Sequence, residues 1–137
     1  MARNIPDEPF VLVIGAAGID SKGRANAPLT LGTSTPGKVR VSVGGTARNI
    51  ADNLTRLGVE TQLLSAIGDD GSGRRVLNNA AEVGIKTQFC IVSGEYRTSA
   101  YLALLDDRGN LVMSVDDMEI LSCITPKVIE AQRALFK

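Results

Sequence analysis

The sequence predicts an α/β fold, because stretches with helical periodicity alternate with apolar runs of strand length. Residues 46–57 and 72–83 carry apolar side chains three or four positions apart, and each stretch lies between two apolar runs. Helices that connect buried strands imply right-handed crossovers and a parallel sheet. Other segments alternate apolar and polar residues, which predicts a separate and more exposed β-layer.

The composition is that of an ordinary globular protein with one core. The 137 residues are 44% hydrophobic and 22% charged, and 15 Lys and Arg balance 15 Asp and Glu. This balance favours neither nucleic acid nor an anionic membrane, and the apolar run Phe10–Gly18 is too short to span a bilayer. The absence of His excludes His-based catalysis within these residues. Cys90 and Cys123 are interpreted as buried thiols of a cytoplasmic protein.

The first third of the chain is predicted to hold two strands separated by a long loop. Phe10–Ile14 is a continuous apolar run that ends at Gly15 and is typical of a buried strand. Residues 18–37 are rich in Gly, Ser, Thr, Asn and Pro without a helical period, so we expect a loop with room for a short strand around Leu29–Leu31. Lys38–Val43 alternates valine with polar residues and is predicted to be a half-exposed antiparallel strand.

Two amphipathic helices are predicted from apolar spacing and from the residues at their ends. The first has Gly45 or Thr46 as its N-cap and ends at Gly58. The second covers about 72–83 and ends at Gly84. Their apolar faces are Ala47, Ile50, Ala51, Leu54 and Leu57 in the first helix, and Val76, Leu77, Ala80 and Val83 in the second.

The remaining elements are two buried strands, a hairpin and a last helix. The hairpin turns at a Gly-containing loop over residues 106–110. The four strands are, in order, Thr61–Ile67, Thr87–Val92, Tyr96–Leu105 and Leu111–Val115. Thr125 is a predicted N-cap with Pro126 at the first helical position, and this helix is expected to run to about Phe136.

Two glycine-containing segments are similar to nucleotide-binding loops but lack a required feature. Gly15–Gly18 follows a strand, yet its third position is Ala17 and no amphipathic helix follows, which argues against a dinucleotide fingerprint. Gly32–Val39 ends in Val39 where a P-loop needs Ser or Thr, and it leads into a strand. Three aspartate pairs near predicted turns lack the spacing of a metal loop and are interpreted as structural: Asp69-Asp70, Asp106-Asp107 and Asp116-Asp117.

The strongest candidate site combines a glycine pair with nearby polar side chains. Gly44 and Gly45 at the start of a helix allow a ligand to approach the backbone closely, and the amide of Asn49 could bind a polyol. A plain strand-to-helix turn with a solvated Asn49 fits these residues equally well. Asp20 follows the carboxyl end of a buried strand, so it could accept hydrogen bonds from two vicinal hydroxyls or could stabilise a local turn.

These motifs, taken in order, resemble the ribokinase (PfkB) family of carbohydrate kinases. The Gly-Gly-x-x-x-Asn segment, followed by Arg-Leu-Gly and then Gly-Asp-Asp-x-x-Gly, is similar to the N-terminal signature of that family. The segments that carry the resemblance are Val13–Asp20, Thr35–Lys38, Val43–Ala51 with Leu54–Gly58, Ile67–Gly71 with Gly73, and Thr98–Gly109. Within the family, Asn49–Gly58 and Val115–Leu121 resemble pseudouridine kinases most, although ribokinases share much of the same frame.

The resemblance implies a ribokinase-like fold, with a Rossmann-like three-layer core and a small β-sheet lid. Residues 1–137 would be the N-terminal portion of one such domain, with lid strands at about 29–43 and 97–115, and a homodimer would form through the lid. In the family the residues at the positions of Asp20 and Asn49 bind the sugar, and the Gly44 and Gly45 pair lets the lid hinge. Thr98 lies where lid residues approach the substrate, and Gly18 replaces an Asn that often contacts the sugar.

The resemblance also implies a reaction, the transfer of the ATP γ-phosphoryl group to a sugar hydroxyl with Mg²⁺. The expected substrate is pseudouridine, giving pseudouridine 5′-phosphate; the alternatives are ribokinase or another sugar kinase, or a non-catalytic sugar-binding fragment that self-associates. Family members are more than twice as long, and the chain contains no Gly-x-Gly-Asp motif, whose Asp is the family's general base. We therefore expect an N-terminal fragment that has no catalytic residue of its own and is inactive alone.

Overall fold

In the computed structural model, which describes residues 9–136, two short parallel strand pairs lie beside a sheet of four strands. The strands are β1 (Val11–Ile14), β2 (Gly18–Ala25), β3 (Gly37–Gly44), β4 (Thr61–Leu64), β5 (Ala66–Gly68), β6 (Ile91–Ser93), β7 (Ser99–Leu105) and β8 (Leu111–Asp117). The helices are α1 (Thr46–Arg56), α2 (Gly71–Val83) and α3 (Pro126–Ala131), with 3-10 turns at Glu119–Cys123 and Arg133–Leu135.

The parallel pairs confirm the predicted α/β crossovers. Strand β1 pairs in parallel with β4, which follows α1, and β5 pairs in parallel with β6, which follows α2. The predicted strand Thr61–Ile67 is interrupted at Ser65, where β4 ends and β5 begins. The strand predicted at Thr87–Val92 is shorter, because residues 87–90 form a turn in which the Cys90 amide donates to the carbonyl of Thr87 at 2.9 Å.

The four-stranded sheet contains a strand that the sequence analysis predicted to be a loop. Its order is β3-β2-β7-β8, with β2 antiparallel to β3 and parallel to β7. The loop prediction for residues 18–25 was wrong because β2 has polar and glycine residues without an apolar alternation, and one of its two partner strands, β7, is far away in the sequence. The suggested strand around Leu29–Leu31 was also wrong, since β3 begins at Gly37.

The two faces of this sheet differ in polarity. On one face, Ile19 and Val43 lie at the end nearest the parallel strands, and Ile19 belongs to the buried core. Farther out on that face the apolar side chains are exposed, with Val39 at 76%. We call these residues the outer apolar face: Val39, Val41, Leu102, Met113 and Val115. The opposite face carries mainly polar side chains and is described with the candidate site.

The core lies between the helices and the parallel strands. Small residues let α1 pack closely, with Ala47 and Ala51 buried. The predicted apolar stripe is only partly buried, because Ile50 is 47% and Leu57 79% exposed. Cys90 is buried as predicted, whereas Cys123 is only half-buried. Within residues 9–136, no helix is long and apolar enough to cross a membrane.

The helices begin and end at residues that act as caps. Gly45 is the N-cap of α1, and the left-handed Gly84 ends α2. The N-cap of α2 is Asp70, which the sequence analysis did not identify as a cap. Thr125 caps α3 as predicted, with its Oγ1 accepting from the Val128 amide at 3.2 Å. This helix ends at Ala131 rather than near Phe136, and a 3-10 turn follows.

Candidate functional site

Asp20 lies in strand β2 on the polar face of the sheet, with its carboxylate packed against Gly44 of β3. A Cβ atom added to Gly44 would stand 2.5 Å from the Asp20 Cγ and 2.7 Å from its Oδ1, closer than real Cβ atoms approach. Any side chain at position 44 would therefore displace the carboxylate. The absence of a side chain at Gly44 leaves the space that the Asp20 carboxylate occupies.

Gly45 joins the sheet to the start of α1 in a conformation that favours glycine. Its φ is +98°, and an added Cβ would lie 2.5 Å from the Ala16 carbonyl oxygen and 2.7 Å from the Ala17 Cα. The Arg48 amide donates to the same Ala16 oxygen at 3.2 Å. The first turn of α1 is therefore tied directly to the β1–β2 connection, just before Asp20.

Asn49 lies in the first turns of α1 and is exposed. Its backbone amide donates to the Gly45 carbonyl at 2.9 Å, as expected for the first turn of a helix. Its side-chain Oδ1 accepts a hydrogen bond from Nη1 of the buried Arg48 at 3.1 Å. The structure thus brings Gly44, Gly45 and Asn49 into one segment, with Asp20 on the neighbouring strand.

A row of polar side chains crosses the sheet at the level of Asp20. The strand registers pair Asp20 with Ser42 on one side and with Tyr101 on the other, and pair Tyr101 with Asp116. The sequence analysis missed Tyr101, and it placed Asp116 beside a turn although that residue lies within β8. The alternation along Ser99–Leu105 shows which residues of β7 share a face with Tyr101. It does not show that Asp20 lies beside that face, because this requires knowing that β2 is the neighbouring strand.

Thr98 lies just before β7 and holds elements of the core together. It is buried; its hydroxyl donates to Asp70 Oδ1 at 2.8 Å and accepts from the Gly68 amide at 3.0 Å. Its own amide donates to Asp70 Oδ2 at 2.9 Å. The hydroxyl has already used its single donor, so it could only accept a further hydrogen bond from a substrate, and the predicted substrate contact of Thr98 stays a prediction.

Asp70 carries a carboxylate whose pKa lies below its ordinary value of 3.8. Burial alone would raise that pKa, but hydrogen bonds from the Thr98 amide, the Gly73 amide and the Thr98 hydroxyl, together with the charge of Arg97, outweigh it. The Gly73 amide donates at 2.7 Å, which is the N-cap bond of α2. The ionised form of Asp70 therefore stabilises the fold.

Replacing Asp70 with Ala should lower the free energy of unfolding by about 3 kcal/mol at pH 7, with about 1 kcal/mol for the lost cap and about 1 kcal/mol for each of the two orphaned Thr98 donors. Because the folded pKa is depressed, the contribution from ionisation is complete above the unfolded pKa and is lost as the pH falls below 3.8. Urea unfolding followed by circular dichroism should show the difference from wild type shrinking as the pH falls below 3.8.

The matched control for this change is Asp69→Ala. Asp69 is exposed and lies 3.8 Å from the exposed Arg74, so its removal should cost about 0–1 kcal/mol. A difference for Asp70→Ala that stays constant from pH 7 to pH 3 would show that its ionisation does not support the fold.

One of the remaining acidic pairs supports a turn. Asp106 supports its hairpin turn, since its Oδ1 accepts from the amides of Arg108 at 3.0 Å and Asn110 at 2.7 Å. The side chain and amide of Asn110 hold the pKa of Asp106 below its ordinary value. Across residues 9–136, no group of three or more Asp, Glu or Cys side chains is arranged to hold a metal ion.

A cleft of about 770 Å³ lies next to this site, between β3 and α2. Arg48, Arg75 and Asn79 line it, together with Val41 and other residues of the two elements. None of the residues predicted to bind substrate lines this cleft. The candidate site is instead the open polar face of the sheet beside the start of α1.

The order of elements and the position of Asp20 beside a Gly-Gly helix start place the chain among ribokinase-like α/β proteins. A carbohydrate kinase from Agrobacterium tumefaciens superposes with a TM-score of 0.80 at 34% identity, over 90% of this chain and 40% of that one. The model of the pfkB family of carbohydrate kinases matches residues 8–137, and the chain belongs to this family. Both the family and the fold predicted from the sequence are confirmed.

Two curated relatives extend the comparison. A pseudouridine kinase from Escherichia coli (strain K12) is 37% identical over 123 residues, which are 90% of this chain and 39% of that protein. An uncharacterized sugar kinase, YeiI, of the same strain is 32% identical over 133 residues, which are 97% of this chain and 37% of the relative. The chain thus spans about two-fifths of the length of these relatives.

Proposed function

We propose that this chain forms the substrate-binding part of an ATP-dependent nucleoside kinase, and that the substrate is pseudouridine, converted to pseudouridine 5′-phosphate. The observation that carries the proposal is the Asp20 carboxylate, held on a polar sheet face beside the glycine-built start of α1. The similarity to a pseudouridine kinase supports the choice of nucleoside. Ribose or another sugar is the alternative substrate for the same site.

In this proposal the ribose lies against the polar face, where its two vicinal hydroxyls donate to Asp20. Hydrogen bonds to an ionised acceptor are about twice as strong as neutral ones. Gly44 leaves no side chain between the sugar and the carboxylate. Tyr101, next to Asp20 in the row, offers an aromatic surface on which a nucleobase could stack, which favours a nucleoside over a free sugar.

The residues of this chain would bind and orient the acceptor hydroxyl for phosphoryl transfer. Such reactions depend mainly on positioning and on electrostatic stabilisation of the transferred group. The described residues offer no cluster of metal ligands, and the sequence has no Gly-x-Gly-Asp motif. The general base and the sites for ATP and Mg²⁺ would therefore come from other residues, so the chain alone should bind substrate without phosphorylating it.

The proposal includes a homodimer of a cytoplasmic enzyme, with the four-stranded sheet as a lid that pivots at Gly44 and Gly45. The outer apolar face supports this assembly, because exposed apolar residues on one continuous sheet surface favour contact with another chain. A second copy of the same face would cover these residues. Gly44, Gly45 and Thr98 all lie where the sheet meets the parallel strands, which is where a lid would bend.

Isothermal titration of the 137-residue chain with pseudouridine, uridine and ribose, without ATP, tests this function. We expect saturable binding of both nucleosides and weaker binding of ribose, because only the nucleosides can use Tyr101, and tighter binding of pseudouridine than of uridine would support the proposed substrate. Tighter binding of ribose than of both nucleosides would favour a sugar kinase. Absence of binding by all three would contradict the proposal that this chain holds the substrate site.

A further inference from the structure

Arg48 is a buried arginine that connects the candidate site to the neighbouring helix. Its side chain is 10% exposed, and its Nη1 lies 3.1 Å from Asp52 Oδ2 on the same helix. Nη1 also donates to Asn49 Oδ1 at 3.1 Å, and Nη2 donates to Asn79 Oδ1 of α2 at 2.5 Å. One guanidinium thus holds three side chains from two helices.

Hydrogen bonds and an ion pair restrict the rotation of the Arg48 side chain. A buried guanidinium needs a counter-charge, which Asp52 supplies, and Asp52 is held in turn by Arg56 at 2.6 Å. The planar fork of donors reaches three acceptors at fixed angles, which the single ammonium of a lysine cannot do. Asn79 anchors the far end of the fork on a different helix, so the position of Arg48 does not depend on α1 alone.

We propose that Arg48 is a positioning residue that fixes the orientation of the Asn49 side-chain amide. Because Oδ1 accepts from Arg48, Nδ2 is the group that Asn49 can offer to a substrate as a donor, whereas the Asp20 carboxylate would accept. Each hydroxyl of a vicinal diol both donates and accepts, so one acceptor and one oriented donor complement it. The substrate part of this inference rests on the proposed function, but the orientation of the amide does not.

The first test measures the ligand-free chain, so it does not depend on any substrate. In ¹⁵N-labelled protein, the heteronuclear NOE of the Asn49 side-chain amide should be close to that of the helix backbone. The internal reference is Asn53, which is exposed four residues later on the same helix and should be mobile. In Arg48→Lys, the heteronuclear NOE of the Asn49 side-chain amide should fall to that of Asn53. A mobile Asn49 in the wild type, or an unchanged one in Arg48→Lys, would overturn the proposal.

A second variant covers the possibility that the buried substitution unfolds the chain. Asn79→Ala removes only the anchor on α2 and leaves Arg48 paired with Asp52. The dispersion of the backbone amide signals shows whether this variant is folded. If it is folded, the heteronuclear NOE of the Asn49 side-chain amide should fall part of the way towards that of Asn53. An unchanged NOE in this variant would show that the link to α2 does not hold the amide.

The binding test separates the donor from the acceptor role of Asn49. Asn49→Asp keeps an oxygen for Arg48 and removes the donor, so the Kd for pseudouridine should rise at least about tenfold. The matched control, Asn53→Asp, makes the same chemical change on the same helix and should leave the Kd unchanged. Binding by Asn49→Asp at wild-type affinity would overturn the assigned donor. If the wild type binds no nucleoside, the proposed function fails, while the NOE measurement still decides the role of Arg48.

Discussion

Replacing Asp20 with Asn is expected to weaken pseudouridine binding by about 10- to 100-fold. A hydrogen bond to a charged acceptor contributes about 1.5–3 kcal/mol, which corresponds to that range of affinity. Asparagine has nearly the same shape, so it fits beside Gly44 without the displacement that a larger side chain would cause. The change therefore removes charge and leaves packing in place, and isothermal titration of both proteins measures the effect.

The control for this experiment carries the same change of charge at the far end of the same sheet. Asp107 lies in the hairpin turn, where it accepts a hydrogen bond from Arg24 Nη2 at 2.7 Å through its backbone carbonyl and not through its side chain. Asp107→Asn should bind pseudouridine like the wild type. Equal weakening by both variants would indicate a long-range effect of charge, and wild-type affinity of Asp20→Asn would remove Asp20 from the site.

Replacing Gly45 with Ala is expected to lower the free energy of unfolding by about 2–6 kcal/mol. The backbone conformation at φ +98° costs a side chain about 1–3 kcal/mol. The added Cβ also meets the Ala16 carbonyl and the Ala17 Cα, both backbone atoms that cannot rotate away, which adds about 1–3 kcal/mol. Urea unfolding monitored by circular dichroism measures this change.

Gly58→Ala is the matched control, since Gly58 lies just after the other end of α1 and also has a positive φ, +84°. An added Cβ there meets nothing within 4 Å, so only the conformational cost of about 1–2 kcal/mol applies. Both variants lose the same entropy in the unfolded chain, and this term cancels between them. Equal losses of stability in the two variants would show that the contact with Ala16 and Ala17 is not tight.

The elements that local sequence determines were predicted well. The helices α1 and α2 and the β7–β8 hairpin follow from apolar spacing and from residues such as Gly58 and Gly84, which act within a few positions. Strand β2 was missed because its partner strand β7 is distant in the sequence and its own residues show no alternation. A strand of this kind is defined by its neighbours and not by its own residues.

The same limit applies to the candidate site. Asp20, Gly44, Gly45 and Asn49 stand in motifs, so the sequence indicated them, although their roles remain predictions. Identifying Tyr101 as part of the site required knowing which strand lies next to it. Identifying the role of Arg48 required knowing which helix lies next to it. The hydroxyl of Thr98 could not be understood without Asp70, because the two residues meet only through the fold.

The pairing of β2 with β7 also has a consequence for the order in which the molecule folds. These neighbours are about eighty residues apart along the chain, whereas β2 and β3 are joined by a short connection and can pair early. Contacts of such long sequence separation form slowly, because a large loop must close before they can contribute. During synthesis, the parallel strands and both long helices leave the ribosome before β7 does. The surface shared by Asp20 and Tyr101 can therefore form only after β7 has been made, and a ligand bound there would select chains in which β2 and β7 have already paired.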